Sequence, residues 1–136
     1  MILVSACLAG FRCRYDAKIA ADEEIAALVR AGEALPVCPE QLGGLPCPRV
    51  PCELQADGRV LAKDGTDRTE AFTLGAAETV RLARLYGCER ALLKAKSPSC
   101  GCGRIYDGSF TGTLVPGDGV TARMLRECGF AVEERE

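Results

Sequence analysis

Apolar positions fall in short blocks, separated by stretches rich in glycine, proline and charge. Ile2-Leu3-Val4 is a compact apolar run that predicts a buried strand, followed by a loop containing Gly10. Asp22 is placed to cap a helix whose first turn holds Glu23 and Glu24. Ile25, Leu28 and Val29 form that helix's apolar face, and Gly32 suits its end. Leu35-Pro36-Val37 predicts a second strand leading into Cys38. Four prolines and two glycines between Pro39 and Pro51 predict a loop. Leu54 and Val60-Leu61 flank Asp57-Gly58, a hairpin signal. Asp67 and Glu70 read as a capping-box-like pair opening a helix to about Tyr86. Phe72, Ala76, Val80 and Ala83 recur on that helix at helical spacing, and Gly87 stops it. Ala91-Leu92-Leu93 predicts a third strong strand, and Ser97 to Pro116 a loop-rich stretch with a turn at Asp107-Gly108. A last helix turns Val120, Met124, Leu125 and Cys128 inward and ends at Gly129; Phe130-Ala131-Val132 closes the chain as a strand.

Strands alternating with helices favour a mainly parallel sheet, because parallel neighbours need crossover connections. The expected fold class is therefore α/β: one domain over residues 1–136, a Rossmann-like three-layer arrangement with helices on both faces. No repeat, linker or low-complexity segment interrupts it.

Composition narrows the chemistry. The chain has 136 residues, 48% hydrophobic and 26% charged, within the range of ordinary soluble domains. Its 17 Lys and Arg against 19 Asp and Glu leave a net charge of −2. No basic surface for general nucleic-acid binding is expected from that balance. The absence of histidine excludes Ser-His-Asp and Cys-His catalysis, Cys₂His₂ and HExxH zinc, and His-ligated haem. Nine cysteines are an odd number, so complete intramolecular pairing is impossible. Neither a signal-peptide pattern nor an apolar run near the roughly 18 residues of a membrane span occurs. The expectation is a cytoplasmic protein with reduced thiols, directed to soft-metal, iron–sulfur or sulfur chemistry.

The cysteines sort by position. Ligands of parallel α/β sheets sit beyond the carboxyl ends of the strands. Cys7 follows the first strand, Cys38 the second, and Cys100 the third, within Ser97-Pro98-Ser99-Cys100-Gly101. These three form the candidate metal site, with Cys102 an alternative to Cys100. Cys88 and Cys128 end apolar helices beside glycines and read as small buried hydrophobes. Cys47 and Cys52 in the Pro-rich loop suit incidental thiols, a metal or a disulfide, and Cys13 is either structural or part of the site. No compact CxxC pair supports a zinc ribbon. The phosphate loop of small tyrosine phosphatases needs Arg where this chain has Cys13; Arg12 and Arg14 flank that position, so the register fails.

Three blocks carry a family resemblance. Val4-Ser5-Ala6-Cys7-Leu8-Ala9-Gly10 with Cys13-Arg14-Tyr15-Asp16 is the first. Pro36-Val37-Cys38-Pro39-Glu40, Gly43-Gly44-Leu45 and Pro48-Arg49 form the second. Leu93-Lys94, Ser97-Pro98-Ser99-Cys100-Gly101 and Ile105 to Phe110 form the third. Together, in this order and over nearly the whole chain, they resemble the domain-of-unknown-function 523 family of TudS-type thiouracil desulfurases. Ala17 departs from the pattern, where Gly is expected.

The resemblance implies a 4Fe–4S cluster held by Cys7, Cys38 and Cys100, with the fourth iron open to the sulfur of a thiolated pyrimidine. It implies proton handling by Glu40 and Ser97. The expected reaction is non-redox: iron polarises the C–S bond as a Lewis acid, water adds to the ring carbon, and sulfur leaves. A carboxylate near thiolates and sulfides is expected to ionise less readily, which suits Glu40 as a general acid/base. Lys94, Lys96 and Arg49 are candidates for offsetting cluster charge or orienting the base. The expected partner is a small thiobase or thionucleoside, without membrane or general nucleic-acid binding. Two alternatives stand beside this reading: a structural or redox-sensing zinc or iron–sulfur protein without turnover, and desulfuration of thiolated RNA nucleosides.

Overall fold

The computed structural model describes residues 1–136. A four-stranded sheet has the order β2-β1-β5-β8, where β1 is Ile2–Ser5, β2 Ala34–Val37, β5 Arg90–Lys94 and β8 Ala131–Arg135. Every pairing in it is parallel: Ile2 lies opposite Ala34, Leu3 opposite Ala91, and Ala91 opposite Val132. Two antiparallel hairpins lie outside this sheet. One joins β3 (Cys52–Leu54) to β4 (Val60–Ala62), the other β6 (Arg104–Tyr106) to β7 (Leu114–Pro116).

The period-two alternation of strands divides the core between two faces. Leu3, Ala91 and Leu93 pack with Val80 and Ala83 of α3 (Thr69–Leu85) and with Ala122 and Leu125 of α4 (Val120–Glu127). Val4 and Leu92 point the other way, toward Ile25 of α1 (Glu23–Arg30). This is the expected three-layer arrangement. Asp22 caps α1 as its spacing predicts, accepting hydrogen bonds from the N–H groups of Glu24 and Ile25. No helix is long and apolar enough to cross a membrane.

Four local expectations change. The stretch after Cys38 is not all loop: Pro39–Leu42 forms a short helix, α2, with Pro39 at its first turn, where a missing N–H costs nothing. Tertiary packing supports this single turn. Gly43 lies against the backbone of Ala71, and Gly75 against that of Pro39, so α2 and α3 cross with no side chain between them. The loop-rich stretch from Ser97 to Pro116 contains the β6–β7 hairpin, whose three-residue strands are too short to register as a period. Asp67 does not form a capping box with Glu70. Arg68 is the residue before α3, and Asp67 accepts the N–H of Thr69 in a local turn. Cys128 is exposed rather than buried, because α4 ends at Glu127 and Cys128 already turns outward. Cys88 is buried, as expected.

Candidate active site at the carboxyl edge of the sheet

The chain leaves β1 in one direction to reach β2 through α1, and reaches β5 on β1's other side through α3. Connections that diverge this way leave a crevice beyond the strand ends. A cavity of about 480 Å³ occurs there, within the usual range for small-molecule sites. Cys7, Cys38 and Cys100 all line it.

Each sulfur is placed by a different local device. Cys7 sits in the 3₁₀ turn Ala6–Ala9 that β1 runs directly into. Cys38 is the residue before α2, where the backbone N–H of Gln41 favours its thiolate. Cys100 lies in a loop tied down from within: the Ser97 hydroxyl accepts the N–H groups of Ser99 (3.1 Å) and Cys100 (3.0 Å). The buried Ser99 hydroxyl meets that of Thr121 at 2.7 Å, and the first N–H groups of α4 donate to the Pro98 and Ser99 carbonyls. Gly101 has no room for a side chain, because the Ser97 carbonyl and Ile105 stand where a Cβ would go.

A fourth thiol joins these three. Cys13 is buried and lines the same cavity. A hydrogen bond with the Cys13 thiol is the main influence lowering the Cys7 and Cys38 thiols below the ordinary cysteine value, against the effect of burial. Cys13 itself is raised, through the same hydrogen bonds with Cys38 and Cys7. Burial pushes the Cys100 thiol well up, with Glu40 adding to it.

Glu40 and Arg49 form an ion pair of 2.9 Å on the cavity wall, their side chains 13% and 9% exposed. The same guanidinium donates to the carbonyls of Cys13 (3.0 Å) and Pro46 (3.1 Å). It thus joins the two loops that flank the thiols. Only Oε2 of Glu40 is engaged; Oε1 takes no protein hydrogen bond. Of the three cations the sequence offers for orienting the base, Arg49 is the one paired with Glu40. Ser97, Lys94 and Lys96 also line the cavity.

The remaining cysteines separate. Cys47 donates to the carbonyls of Arg12 and Arg14, fastening the Pro-rich loop to the segment after Cys7. Cys52 lines the cavity. Cys102 is outside it, buried where Arg126 donates to its sulfur, so it does not substitute for Cys100. All nine cysteines are free. Ala17, the departure from the family pattern, has φ +57°, the left-handed region that glycine adopts without penalty.

Several cavity residues were invisible to spacing arguments. Ser5 is buried at the end of β1 and accepts the N–H of Lys94 at 2.9 Å, and its hydroxyl partly offsets the upward push of burial on the Cys100 thiol. Glu53, Tyr106 and Phe110 come from the two hairpins. Ser5 and Cys13 carried a signal, their place in the first family-like block, as did Tyr106 and Phe110 in the third; Glu53 carried none.

Comparison with known proteins agrees with this geometry. A family model described as 2-thiouracil desulfurase matches residues 2–136. The uncharacterized protein YbbK of Bacillus subtilis (strain 168) is 42% identical over 141 residues, covering 97% of this chain and 93% of the relative. A solved 4Fe–4S-dependent thiouracil desulfidase, TudS, is 43% identical and superposes with a TM-score of 0.92, over 98% of this chain and 89% of its own. With its three-layer sheet and its cysteines gathered at the strand ends, the chain belongs to the 2-thiouracil desulfurase family.

Proposed function

We propose that this protein is a thiouracil desulfurase that converts a thiolated pyrimidine and water into the oxo-pyrimidine and hydrogen sulfide, with Cys7, Cys38 and Cys100 holding a 4Fe–4S cluster. The observation that carries the reading is the meeting of three thiols, one from beyond each of β1, β2 and β5, on a single cavity.

The donor set fits that group. Iron–sulfur clusters are held by thiolates, and the cavity offers thiols in a chain without histidine. When bound through three cysteines, such a cluster supplies one iron without a protein ligand, a soft Lewis acid suited to sulfur.

The reaction consumes water and changes no oxidation state. The water oxygen bonds to the ring carbon, the C–S bond breaks, and two protons end on sulfur. Glu40 is the proposed proton carrier. Its Oε2 is held by Arg49, so Oε1 is the oxygen that takes the proton from water and returns it to the departing sulfur. Arg49 is its positioning residue. The Ser97 oxygen accepts two backbone N–H groups, which leaves its own O–H as a donor directed by that geometry. Lys94 offsets anionic charge beside Cys7, where its cation favours the thiolate.

Residues 1–136 act as one unit in this reading. The substrate is a free thiobase or small thionucleoside, matching the cavity's size, and the compartment is the cytoplasm, where thiols remain reduced. Anaerobic reconstitution followed by iron and sulfide analysis and a 2-thiouracil turnover assay tests it. About four irons and four sulfides per chain are expected, with uracil and sulfide formed in equal amounts. A protein that takes up zinc alone, or a loaded protein without turnover, removes the reading.

A further inference from the structure

The loop between β6 and β7 runs Asp107-Gly108-Ser109-Phe110-Thr111-Gly112-Thr113. Six of these seven residues are small or polar. Phe110 is the single large apolar side chain, and it belongs to none of the three core clusters. It lines the cavity that holds Cys7, Cys38 and Cys100. Its φ is +59°, a backbone region that a bulky residue adopts only when its surroundings impose it.

The imposing group is Glu53. It is the one carboxylate among the buried residues, and no ion pair engages it. Its Oε1 accepts the N–H of Gly108 at 2.9 Å and of Phe110 at 3.1 Å, the latter from 57 residues along the chain. Gln55, on the same hairpin, donates to the Gly108 carbonyl at 3.2 Å. A buried carboxylate is thus spent on holding a short polar loop in a strained shape whose only large side chain faces the site.

A core role does not explain this arrangement, since Phe110 joins no core. A ring-binding role does. The chain is poor in aromatics, with four Phe, three Tyr and no Trp, yet Tyr15, Phe72, Tyr106 and Phe110 all line this one cavity. Phe72 is built into the wall and Tyr15 sits at the rim, 2% and 45% exposed. Phe110 is the ring delivered by a loop held for that purpose.

We infer that Phe110 is the stacking surface for the pyrimidine ring of the substrate, and that Glu53 is the positioning residue that holds it in place. This rests on the desulfurase reading and deepens it: the site selects a flat aromatic thiobase rather than any small thiocarbonyl compound.

The test compares anaerobically loaded wild type with Phe110→Ala, Phe110→Leu, Phe110→Tyr, Glu53→Ala and Glu53→Gln. Cluster content, kcat and KM for 2-thiouracil, and uracil binding by ligand-observed NMR are measured for each. Phe110→Ala and Phe110→Leu should raise KM and weaken uracil binding about 10-fold or more, the scale of base–aromatic stacking, with kcat and iron content nearly unchanged. Phe110→Tyr restores a flat ring and should restore KM. Glu53→Ala should follow Phe110→Ala, while Glu53→Gln, which keeps an acceptor oxygen, should rescue it. Phe110→Ala with wild-type KM, or Leu serving as well as Tyr, overturns the inference while the desulfurase reading stands. A wild type that neither binds uracil nor turns over 2-thiouracil removes both.

Discussion

Arg49 Nη2 lies 2.9 Å from Glu40 Oε2, in a pair whose side chains are almost withdrawn from water. The pair joins the helix turn after Cys38 to the Pro-rich loop, so a charge relationship fixes the direction of the carboxylate on the cavity wall. Glu40→Gln keeps the shape and removes the titrating group. It should bind cluster and 2-thiouracil normally and lose turnover by about 10²–10⁴-fold, read from single-turnover rates at matched iron content. Arg49→Met leaves Glu40 unpaired and should cost on the order of 3 kcal/mol in urea unfolding of the cluster-free protein. Near-normal turnover of loaded Glu40→Gln would remove Glu40 from the chemistry.

Replacing Cys7, Cys38 or Cys100 with Ala should sharply reduce iron content and abolish turnover. Cys88→Ala removes a buried thiol from the core and should cost roughly 1–3 kcal/mol without affecting iron. Cys128→Ala, at an exposed position, should change stability by no more than about 0.5 kcal/mol. Iron analysis and denaturation of the set separate ligands from packing residues.

Ser97→Ala deprives the N–H groups of Ser99 and Cys100 of their acceptor, at a cost of about 1–3 kcal/mol where they are buried. The loop carrying Cys100 should loosen, and the cluster should be lost faster to a chelator, with Ser97→Thr close to wild type. Full cluster retention with lost turnover would assign the hydroxyl to proton transfer alone.

Gly75→Ala should be among the most damaging small substitutions outside the cavity. Its Cβ would enter the Pro39 carbonyl and the Gly43 N–H, both backbone, so the α2–α3 crossing must open. Overpacking of this kind costs roughly 1–3 kcal/mol or more. Because α2 carries Glu40, a thermal-melting decrease should be accompanied by weaker thiouracil binding.

Asp22 should give the acid limb of stability a readable component. Burial opposes its charge, but hydrogen bonds from Ile25 and Glu24 and the Arg135 guanidinium at 3.0 Å outweigh this and hold its carboxyl below the ordinary value. As pH falls, the unfolded chain takes up this proton first. The stabilisation is therefore complete above the unfolded value of about 3.9 and is lost as pH falls through the lower folded value. Asp22→Asn keeps a cap and removes the charge. Its deficit in urea midpoint should be present at neutral pH and should shrink to nothing in acid.

Read alone, the sequence determined the strands of the central sheet, the long helix and the placement of Cys7, Cys38 and Cys100 after those strands. Apolar blocks such as Ile2-Leu3-Val4 and Ala91-Leu92-Leu93 are burial signals, and a parallel strand ending in cysteine points that thiol at the sheet's carboxyl edge. Local rules also sufficed for the Asp22 cap and the Asp57-Gly58 hairpin, because their partners lie within a few residues. What only the tertiary structure decided depends on groups far apart in the chain. The single turn of α2 exists because Gly43 and Gly75 let two helices touch. Cys13 belongs to the site because its thiol reaches Cys7 and Cys38, and Cys102 does not because the chain turns it toward Arg126. The β6–β7 hairpin and Phe110 take their places through a carboxylate more than 50 residues earlier. Periodicity reports the water each residue avoids, and carries no record of which distant hydrogen-bond partner it meets.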